Sequence, residues 1–428
     1  MTSLRVHAQR ALLGLLSLGL GACAPAAPPQ AAPTAAPPRT TAPPPKPAVS
    51  PAASPSASPS VAASPSPAVK PAASPAASPS VGAGPSPAAK PAPPTPTTLP
   101  VVAADTTSVQ LTKIPIPPIA GQTLSADIIV IDQATHLLYL TDRNDTGIDI
   151  FDVSTPSARY LRTVDVGSGP NGVIVAQNVN KLFVGLTDSN VAVVDIDPSS
   201  ARANTVIAKL NTGGKARADE LDYDPEERKI YVANSDDQFV TVIDAAQNAI
   251  LKRIDVPGGA IEQPRYNPAD GMVYLTGSED NVVYKFDPKT DTMVSKTDVV
   301  DKCNPNGLAI NPKTNQALLG CSSRDQPQHA VAWDIAAGKV INTFNQAGAG
   351  DMTLYDEKVD RFFFAASNFF RGGQMALFSG SDPIRFQTNV PTAVGAHAVA
   401  FDETNNIVYT QDQLPNEGAL FSFPLPSP

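Results

Sequence analysis

The chain has 428 residues, of which 45 are proline and three are cysteine. All 40 acidic residues lie at or after Asp105, whereas six of the 31 basic residues precede it, so the part from Asp105 onward carries a net charge of −15. Such a field repels nucleic acid and anionic lipid headgroups, and we therefore expect no nucleic-acid partner. Charged partners should be cations or basic surfaces.

The N-terminus predicts a signal peptide over residues 1–22. Arg5 and Arg10 precede the apolar run ALLGLLSLGLGA, and small residues stand directly before Cys23. These features are typical of a secretory signal, and the run is too short for a spanning helix, which needs roughly 20 apolar residues. The sequence LGAC at 20–23 resembles the bacterial lipobox, which implies that Cys23 is lipidated and becomes the mature N-terminus. The alternative is an ordinary signal peptide followed by an incidental cysteine.

Lipidation of Cys23 would place the protein in the bacterial cell envelope. Several acyl chains on one residue give stable attachment to a membrane, whereas a single chain is marginal. We therefore expect a lipid-anchored protein that faces outside the cytoplasm. Ala24, rather than Asp, follows the cysteine, which favours the outer membrane if the cell has two membranes.

Residues 23–105 are predicted to be a disordered linker that begins with the lipidated cysteine. The segment is dominated by Pro, Ala and Ser, and the twenty residues PAASPSASPSVAASPSPAVK at 51–70 recur with few changes at 71–90. Such a chain buries too little apolar surface to offset its conformational entropy. Roughly 80 residues in polyproline II conformation would extend up to about 250 Å. We interpret the segment as a stalk; the alternative is an unselected low-complexity expansion.

From residue 106 onward, one pattern of four short strands recurs. In the clearest copy, DELDYDPEE is followed by KIYVAN, QFVTVID and AILKRIDV, with polar turns between the runs. The β-branched and aromatic content predicts strands, and the Asp, Asn, Gly and Pro clusters predict tight turns. Aligned copies begin at residues 127, 171, 219, 262, 306, 351 and 397, at spacings of 43 to 48 residues. A four-stranded unit with a period of about 40 to 50 residues indicates a β-propeller, so we predict an all-β, seven-bladed β-propeller over 106–428.

The seventh unit lacks residues for a fourth strand, because the chain ends shortly after GALFSFPLP. The strand-like segment VQLTKIPIP at 109–117 precedes the first unit without a partner. We expect this segment to supply the missing outer strand of the last blade. Such pairing would close the ring and remove open sheet edges.

Residues 106–428 resemble the YVTN-repeat β-propellers of bacterial and archaeal envelopes. The segments IYVANSDDQFVTVIDAAQNAI, VYLTGSEDNVVYKFDPKTDTMV and LFVGLTDSNVAVVDI carry this resemblance. A WD40-repeat assignment is rejected from the sequence, because the dipeptide Trp333-Asp334 has no second copy at the matching position of the other units.

The first position of each unit should lie where the chain enters the innermost strand, around the mouth of the central channel. All seven residues are polar: Asp127, Asn171, Asp219, Glu262, Asn306, Asp351 and His397. Hard cations bind several oxygen ligands and His can join for a transition metal, so we predict a site for a small polar ligand or a divalent metal such as calcium. The alternative is that these positions are polar for structural reasons alone. The channel of any propeller contains water, and Asp and Asn are favoured in the turns that lead into strands.

Two further acidic features lie in the turns between the second and third strands. Asp236, Asp237, Glu279 and Asp280 should be on the same face as the seven positions and make it acidic, although turns commonly contain such residues. The segment DRNDTG at 142–147 has the oxygen spacing of an EF-hand start, but Val153 stands where a bidentate Glu is required. We interpret it as a plain turn.

Cys303 and Cys321 should lie at the same edge of the fifth blade. In an oxidising envelope we predict a disulfide between them, which would contribute up to about 3 kcal/mol by the chain-entropy model. A pair of free thiols is the alternative.

Three functions remain open, and whether the chain is an enzyme is undecided. The leading hypothesis is a monomeric, surface-anchored binding or scaffold propeller that recognises a protein, glycan or cation through an acidic channel face. The second is a metal-dependent hydrolase, because propeller lactonases similar in outline bind a metal with acidic and amide side chains at the channel; His397 or an acidic neighbour would then act as base. The third is a subunit like those of quinoprotein dehydrogenases, which share the architecture. Fold alone does not decide among them.

Overall fold

The computed structural model describes residues 105–117, 124–299, 302–322, 328–348, 350–366, 373–393, 395–412 and 419–428. The predicted signal peptide, Cys23 and all but the last residue of the predicted linker lie outside these ranges. Within them, no helix is long and apolar enough to cross a membrane.

The described residues form 28 strands in seven four-stranded antiparallel sheets. Blade 1 contains β2 (Ala126–Asp132), β3 (Leu137–Asp142), β4 (Gly147–Asp152) and β5 (Arg159–Asp165). Blade 2 contains β6 (Pro170–Ala176), β7 (Lys181–Leu186), β8 (Asn190–Asp195) and β9 (Thr205–Asn211). Blade 3 contains β10 (Leu221–Asp224), β11 (Lys229–Asn234), β12 (Phe239–Asp244) and β13 (Ala249–Asp255). Blade 4 contains β14 (Ile261–Asn267), β15 (Met272–Gly277), β16 (Val282–Asp287) and β17 (Thr292–Asp298).

The remaining blades follow the same plan. Blade 5 contains β18 (Pro305–Asn311), β19 (Gln316–Cys321), β20 (His329–Asp334) and β21 (Lys339–Phe344). Blade 6 contains β22 (Gly350–Asp356), β23 (Arg361–Ala366), β24 (Gln374–Ser379) and β25 (Arg385–Pro391). Blade 7 contains β26 (Ala400–Asp402), β27 (Ile407–Asp412), β28 (Ala419–Pro424) and, from the N-terminal side, β1 (Thr112–Pro115). The predicted seven-bladed β-propeller is therefore confirmed.

The turns after the inner strands are built by the polar residues that the repeat places there. Asp224 ends β10, and its Oδ1 accepts hydrogen bonds from the backbone N–H groups of Glu226 and Glu227, at 2.9 and 3.2 Å. Asp402 does the same for Thr404 and Asn405 in blade 7. Asx side chains satisfy turn backbone in this way, so the Asp and Asn residues at these positions are explained by the fold itself.

The predicted closing strand is confirmed. β1 pairs antiparallel with β28, with Ile114 opposite Leu420, and the Ile114 side chain is buried in the core. The paired segment is shorter than the predicted 109–117. One contact was not predicted: the N–H of Thr107 donates to the carbonyl of Asn389 in β25 at 2.9 Å, so the chain also attaches to blade 6 before it reaches blade 7.

The predicted disulfide is also confirmed. Cys303 and Cys321 are bonded, with their Cα atoms 4.4 Å apart, and both are fully buried. Cys321 ends β19 opposite Pro305, the first residue of β18. The bond therefore ties the approach to the inner strand of blade 5 to the strand beside it.

We expect Ile114→Ala to destabilise the propeller by about 2 to 4 kcal/mol, because it removes buried apolar atoms from the seam that closes the ring. The exposed neighbour Thr112 gives a matched control, and Thr112→Ala should stay within about 0.5 kcal/mol of wild type. Urea unfolding of both variants measures the difference. Equal stabilities of the two variants would contradict a structural role for this strand.

A second prediction concerns Asp149 of β4, whose side chain is fully buried. Its Oδ1 accepts a hydrogen bond from Thr163 Oγ1 at 2.5 Å, and its Oδ2 has no partner within the described residues. Burial raises the pKa of this carboxyl to about 7, and the nearby Asp142 and Asp145 add to the increase. Since the folded state then binds a proton that an unfolded Asp has lost, stability should fall as pH rises from about 4 to 7.

Asp149→Asn does not ionise and should therefore have a flatter pH profile than wild type. The difference between the two profiles should reach at most about 4 kcal/mol over three pH units. Urea unfolding at pH 4.5, 6 and 7.5 measures it, with the exposed substitution Asp255→Asn as control. Parallel profiles for wild type and Asp149→Asn would show that Asp149 is ionised throughout.

Candidate functional site

The seven predicted positions meet at one end of the channel, which we call the mouth, and we call the seven residues the mouth ring. They are Asp127, Asn171, Asp219, Glu262, Asn306, Asp351 and His397, at or just before the start of the inner strands. Interactions between side chains connect them across blades. His397 contacts Asp127, Asp219 lies within electrostatic range of Asp127 and Asp351, and Asn306 hydrogen bonds to Asp351. The structure therefore brings the predicted residues together.

Asp127 is the centre of one half of the mouth ring. Its carboxylate pairs with the Arg143 guanidinium, and its Oδ1 lies 3.1 Å from His397 Nε2. Arg143 also donates from Nε to Asn171 Oδ1 at 2.9 Å. Burial acts to raise the pKa of Asp127, but His397 and Arg143 hold it below its ordinary value. Asp127 is therefore an ionised carboxylate whose charge is neutralised by its neighbours.

The contact that lowers the pKa of Asp127 raises the pKa of His397. Burial acts to lower its pKa, but the hydrogen bond to Asp127 and the charges of Asp351 and Asp127 raise it above the ordinary value. Its Nδ1 lies 2.8 Å from the carbonyl of Gly395. A protonated imidazole would donate from both nitrogens to these two acceptors.

The other half of the mouth ring is acidic. Asp219 forms an ion pair with Arg217 at 2.8 Å, and Arg217 lies 3.6 Å from Asp236. Burial raises the pKa of Asp219 to about 7, and repulsion by Asp127 and Asp351 adds to this effect against the attraction of Arg217. Asp219 is therefore held in place by one cation, which it shares with a second carboxylate.

Glu262 and Asp351 extend this acidic half. Burial raises the pKa of Glu262 well above its usual range, and the carboxylates of Asp219 and Asp351 raise it further. Its only described hydrogen bond is weak: Ser235 Oγ lies 3.3 Å from its Oε1. Burial likewise raises the pKa of Asp351, which accepts a hydrogen bond from Asn306. Three carboxyl groups thus crowd one side of the mouth. Arg217 is the main cationic neighbour of Asp219 and Glu262, whereas the cationic neighbours of Asp351 are His397 and Arg143.

Sequence reasoning missed Arg143 and Arg217. Arg143 lies in the segment DRNDTG, which does form the plain turn that was predicted, since residues 143–146 adopt turn conformation. The described turns of the other units have a hydroxyl residue at this position, and this departure from the repeat was an available signal; the residues are Thr187, Ser235, Ser278 and Ser322. Arg217 stands two residues before Asp219, where the described positions of the other units place small or amide residues, so no repeat pattern identified it.

The acidic turns lie at the mouth as predicted, but they are partly neutralised. Asp237 accepts hydrogen bonds from the backbone of Lys215 and Ala216, at 2.7 and 2.8 Å. Asp280 pairs with Lys296 at 2.6 Å. Asp236 keeps more than half of its side chain exposed. These turns therefore contribute less free negative charge than their composition suggests.

Among the described residues, no three His, Cys, Asp or Glu side chains form a group that could hold a metal ion. A divalent metal at the mouth ring and the catalytic use of His397 remain predictions.

Comparisons with known proteins identify the fold. No family model matches the chain, and no curated protein matches it. Solved structures do match. A chain of the "Crystal Structure of Mitotic Checkpoint Complex" is 15% identical with a TM-score of 0.60, covering 79% of this chain and 98% of that one. "Structure of U3-55K" and "Crystal structure of RRP9 WD40 repeats" are both 12% identical to this chain, each with a TM-score of 0.58. Each match covers 76% of this chain; it covers 99% of the first matched chain and 98% of the second.

These similarities define the class of fold: the chain is a seven-bladed β-propeller. At 12 to 15% identity the likeness shows the fold alone, and the chain contains a single tryptophan, so it does not repeat the WD dipeptide. The YVTN-repeat resemblance remains a prediction from the sequence.

The Asp127–His397 contact makes a prediction for NMR. In Asp127→Asn the pKa of His397 should fall, because the substitution removes the carboxylate that stabilises the imidazolium. A pH titration of the His397 ring protons measures this, with the signal assigned by its absence in His397→Gln. Glu226→Gln, on an exposed turn at the opposite end of β10, should leave the titration unchanged. The same pKa in Asp127→Asn and wild type would contradict the assigned pairing.

Proposed function

We propose that this protein is a binding propeller that recognises a basic partner protein at its mouth. The observation that carries the proposal is the crowding of Asp219, Glu262 and Asp351, whose carboxyl groups raise one another's pKa although Arg217 lies beside the first two. Carboxyl groups that repel one another are stabilised by an added cation. A lysine or arginine side chain of a partner would supply that charge, and charge-assisted hydrogen bonds are the stronger kind.

The charge of the whole domain supports the same class of partner. The part of the chain from Asp105 onward has a net charge of −15. Complementary charge accelerates association and excludes partners of like charge, and this effect weakens as salt screens it. The acidic half of the mouth ring would then provide the local contact after long-range attraction has brought the partner near.

The comparisons are consistent with a protein partner. One of the similar chains belongs to the "Crystal Structure of Mitotic Checkpoint Complex". Propellers offer broad, rigid faces made of loops, which are common sites of recognition. The identity of a partner does not transfer at 15% sequence identity, so the partner is defined here only by its basic charge.

We further propose that the propeller is displayed on the envelope surface. The support comes from the sequence: the lipobox-like LGAC at 20–23 would provide a lipid anchor at Cys23, and the Pro-rich residues that follow would act as a spacer. A domain held away from the membrane in this way would present its mouth to partners.

The metal-dependent hydrolase is the second candidate, and it rests on the same crowded carboxyl groups. A divalent cation such as calcium would relieve their repulsion as a basic side chain would, because hard cations bind carboxylate oxygens. Its signature would be about one bound metal equivalent, lost in an Asp219→Ala, Asp351→Ala variant, together with lactone hydrolysis that a chelator abolishes.

Binding of a fluorescent octalysine peptide to the purified protein tests the leading proposal. Glu262→Gln, Asp351→Asn should weaken binding about tenfold or more. Glu226→Gln, Glu227→Gln also replaces two carboxyl groups by amides, on an exposed turn at the opposite end of β10, and should change the dissociation constant by less than about twofold. Fluorescence anisotropy at low and at physiological salt measures both.

Equal effects of the two double variants would show that the peptide responds to total charge alone, and the mouth would then not be the site. If one equivalent of Ca²⁺ binds at the mouth and displaces the peptide, and lactones are hydrolysed, the hydrolase replaces the binding protein as the conclusion. Unchanged peptide binding in the presence of chelator and of Ca²⁺ supports the binding protein.

A further inference from the structure

Below the mouth ring, the central channel encloses a cavity of about 440 Å³. Residues from the inner strands of all seven blades line it. This volume falls within the roughly 300–1,000 Å³ that is typical of small-molecule sites in proteins. The cavity is therefore large enough for a ligand of its own, separate from any partner at the mouth.

The wall of the cavity is mostly apolar. Its lining includes Ile128, Val130, Ile174, Met352, Leu354 and Val399. Because side chains two residues apart on a strand point to the same side, these positions follow from the alternation of the inner strands. Polar groups at the far end of the cavity, such as Gln133 and Glu403, belong to the turns that end the strands.

Between the mouth ring and those turns, the charged lining residues in the described part of the chain come from blades 3 and 4. They are Glu220 and Asp222, two residues apart, and Arg265 on the adjacent blade. The corresponding positions of blade 1 are Ile128 and Val130, and those of blade 6 are Met352 and Leu354. The propeller thus tolerates apolar residues at these positions, so the fold itself does not require the charges.

Two of these three groups, Glu220 and Arg265, form few hydrogen bonds with protein groups, although Arg265 lies within electrostatic range of Glu220 and Asp222. Asp222 Oδ2 accepts a hydrogen bond from the backbone N–H of Tyr266 at 2.6 Å. Glu220 is only 7% exposed, and no hydrogen bond to its carboxyl group forms among the described residues. Arg265 donates from Nη1 to the carbonyl of Pro264 at 2.7 Å and forms no ion pair with a described carboxylate. Arg265 is half-buried, whereas the buried carboxyl group of Glu220 costs free energy unless a hydrogen-bond donor pairs with it.

We propose that the cavity binds a small zwitterion with an apolar body, of the class of apolar α-amino acids. The ammonium group of the ligand pairs with Glu220, its carboxylate pairs with the unused N–H groups of Arg265, and its side chain packs against Ile128, Met352 and the rest of the apolar wall. An amine alone would leave Arg265 unpaired, and a carboxylic acid alone would leave Glu220 unpaired. A zwitterion satisfies both groups at once.

The surroundings of Glu220 also indicate how binding should depend on pH. Burial raises the pKa of Glu220 well above its usual range, with smaller additions from Glu262, Asp351 and Asp219 and an opposing contribution from Arg265. The cavity therefore favours the protonated form of Glu220, whereas a bound ammonium group would favour the ionised form and so promote release of the proton. Affinity should rise with pH below the pKa of the ligand amine, and binding should release protons to the buffer.

Isothermal titration calorimetry of the purified protein with leucine tests this proposal. Leucine should bind saturably, and its binding heat should depend on the ionisation enthalpy of the buffer because a proton is released. Three analogues, each of which removes one feature, should bind at least tenfold more weakly: leucinamide lacks the carboxylate, 4-methylpentanoate lacks the ammonium group, and glycine lacks the apolar body.

Variants locate the site. Glu220→Gln and Arg265→Met should each weaken leucine binding at least tenfold, whereas the matched control Glu226→Gln, in the turn that follows the same strand, should leave it unchanged. Circular dichroism melting confirms that each variant is folded. If Glu220→Gln or Arg265→Met does not fold, the analogue series on the wild-type protein decides the question.

Three outcomes would overturn the proposal: no saturable binding of leucine up to millimolar concentration, binding of leucinamide or 4-methylpentanoate as tight as that of leucine, or leucine binding unchanged in folded Glu220→Gln. Octalysine binding at the mouth is measured separately and should be unaffected by Arg265→Met. Failure of one proposal is therefore distinguishable from failure of the other.

Discussion

Closure of the ring by β1 and β28 is the interaction on which the rest of the structure depends. The outer strand of blade 7 comes from the beginning of the domain and its other three strands from the end, so one sheet joins the two ends of the propeller. The contact between Asp127 of blade 1 and His397 of blade 7 spans this seam. Without closure, the first and last members of the mouth ring would lack their mutual contact, and the inner strands would not enclose a channel.

The mouth ring combines two electrostatic environments on one face. Around Asp127, Arg143 and His397 compensate a buried carboxylate and connect three blades. Around Asp219, Glu262 and Asp351, three carboxyl groups raise one another's pKa, and Arg217 lies beside the first two. The first half therefore stabilises the closed ring, whereas the second half contains carboxyl groups that an added cation would stabilise. This division explains why a ring of polar residues at equivalent repeat positions need not act as one symmetric site.

The lining of the channel contains charged residues that the propeller fold does not require. Seven repeats of one pattern would give seven equivalent walls, and most of the lining is indeed apolar. Glu220 and Arg265 depart from that pattern, and the desolvation of the buried Glu220 carboxyl group is opposed only in part by the charge of Arg265. Local departures of this kind are expected where a protein trades stability for function. The two proposed sites are therefore physically distinct. Recognition at the mouth would depend mainly on charge, whereas recognition in the cavity would depend on its shape and on a few polar groups.

The sequence alone determined the number of blades, the closing strand, the disulfide and the seven mouth positions, because each depends on a repeated local pattern or on spacing along the chain. Alternation along KIYVAN and turn residues such as Asp224 are readable from neighbouring residues. The partners of Asp127 and Asp219 were not readable, since Arg143 and Arg217 reach them across turns and blades. The position of Arg265 beside Glu220 and Asp222 was equally unreadable. Only the tertiary structure brings side chains from different turns and blades close together, and so it alone decided which charged groups of the mouth and the channel lie beside an opposite charge.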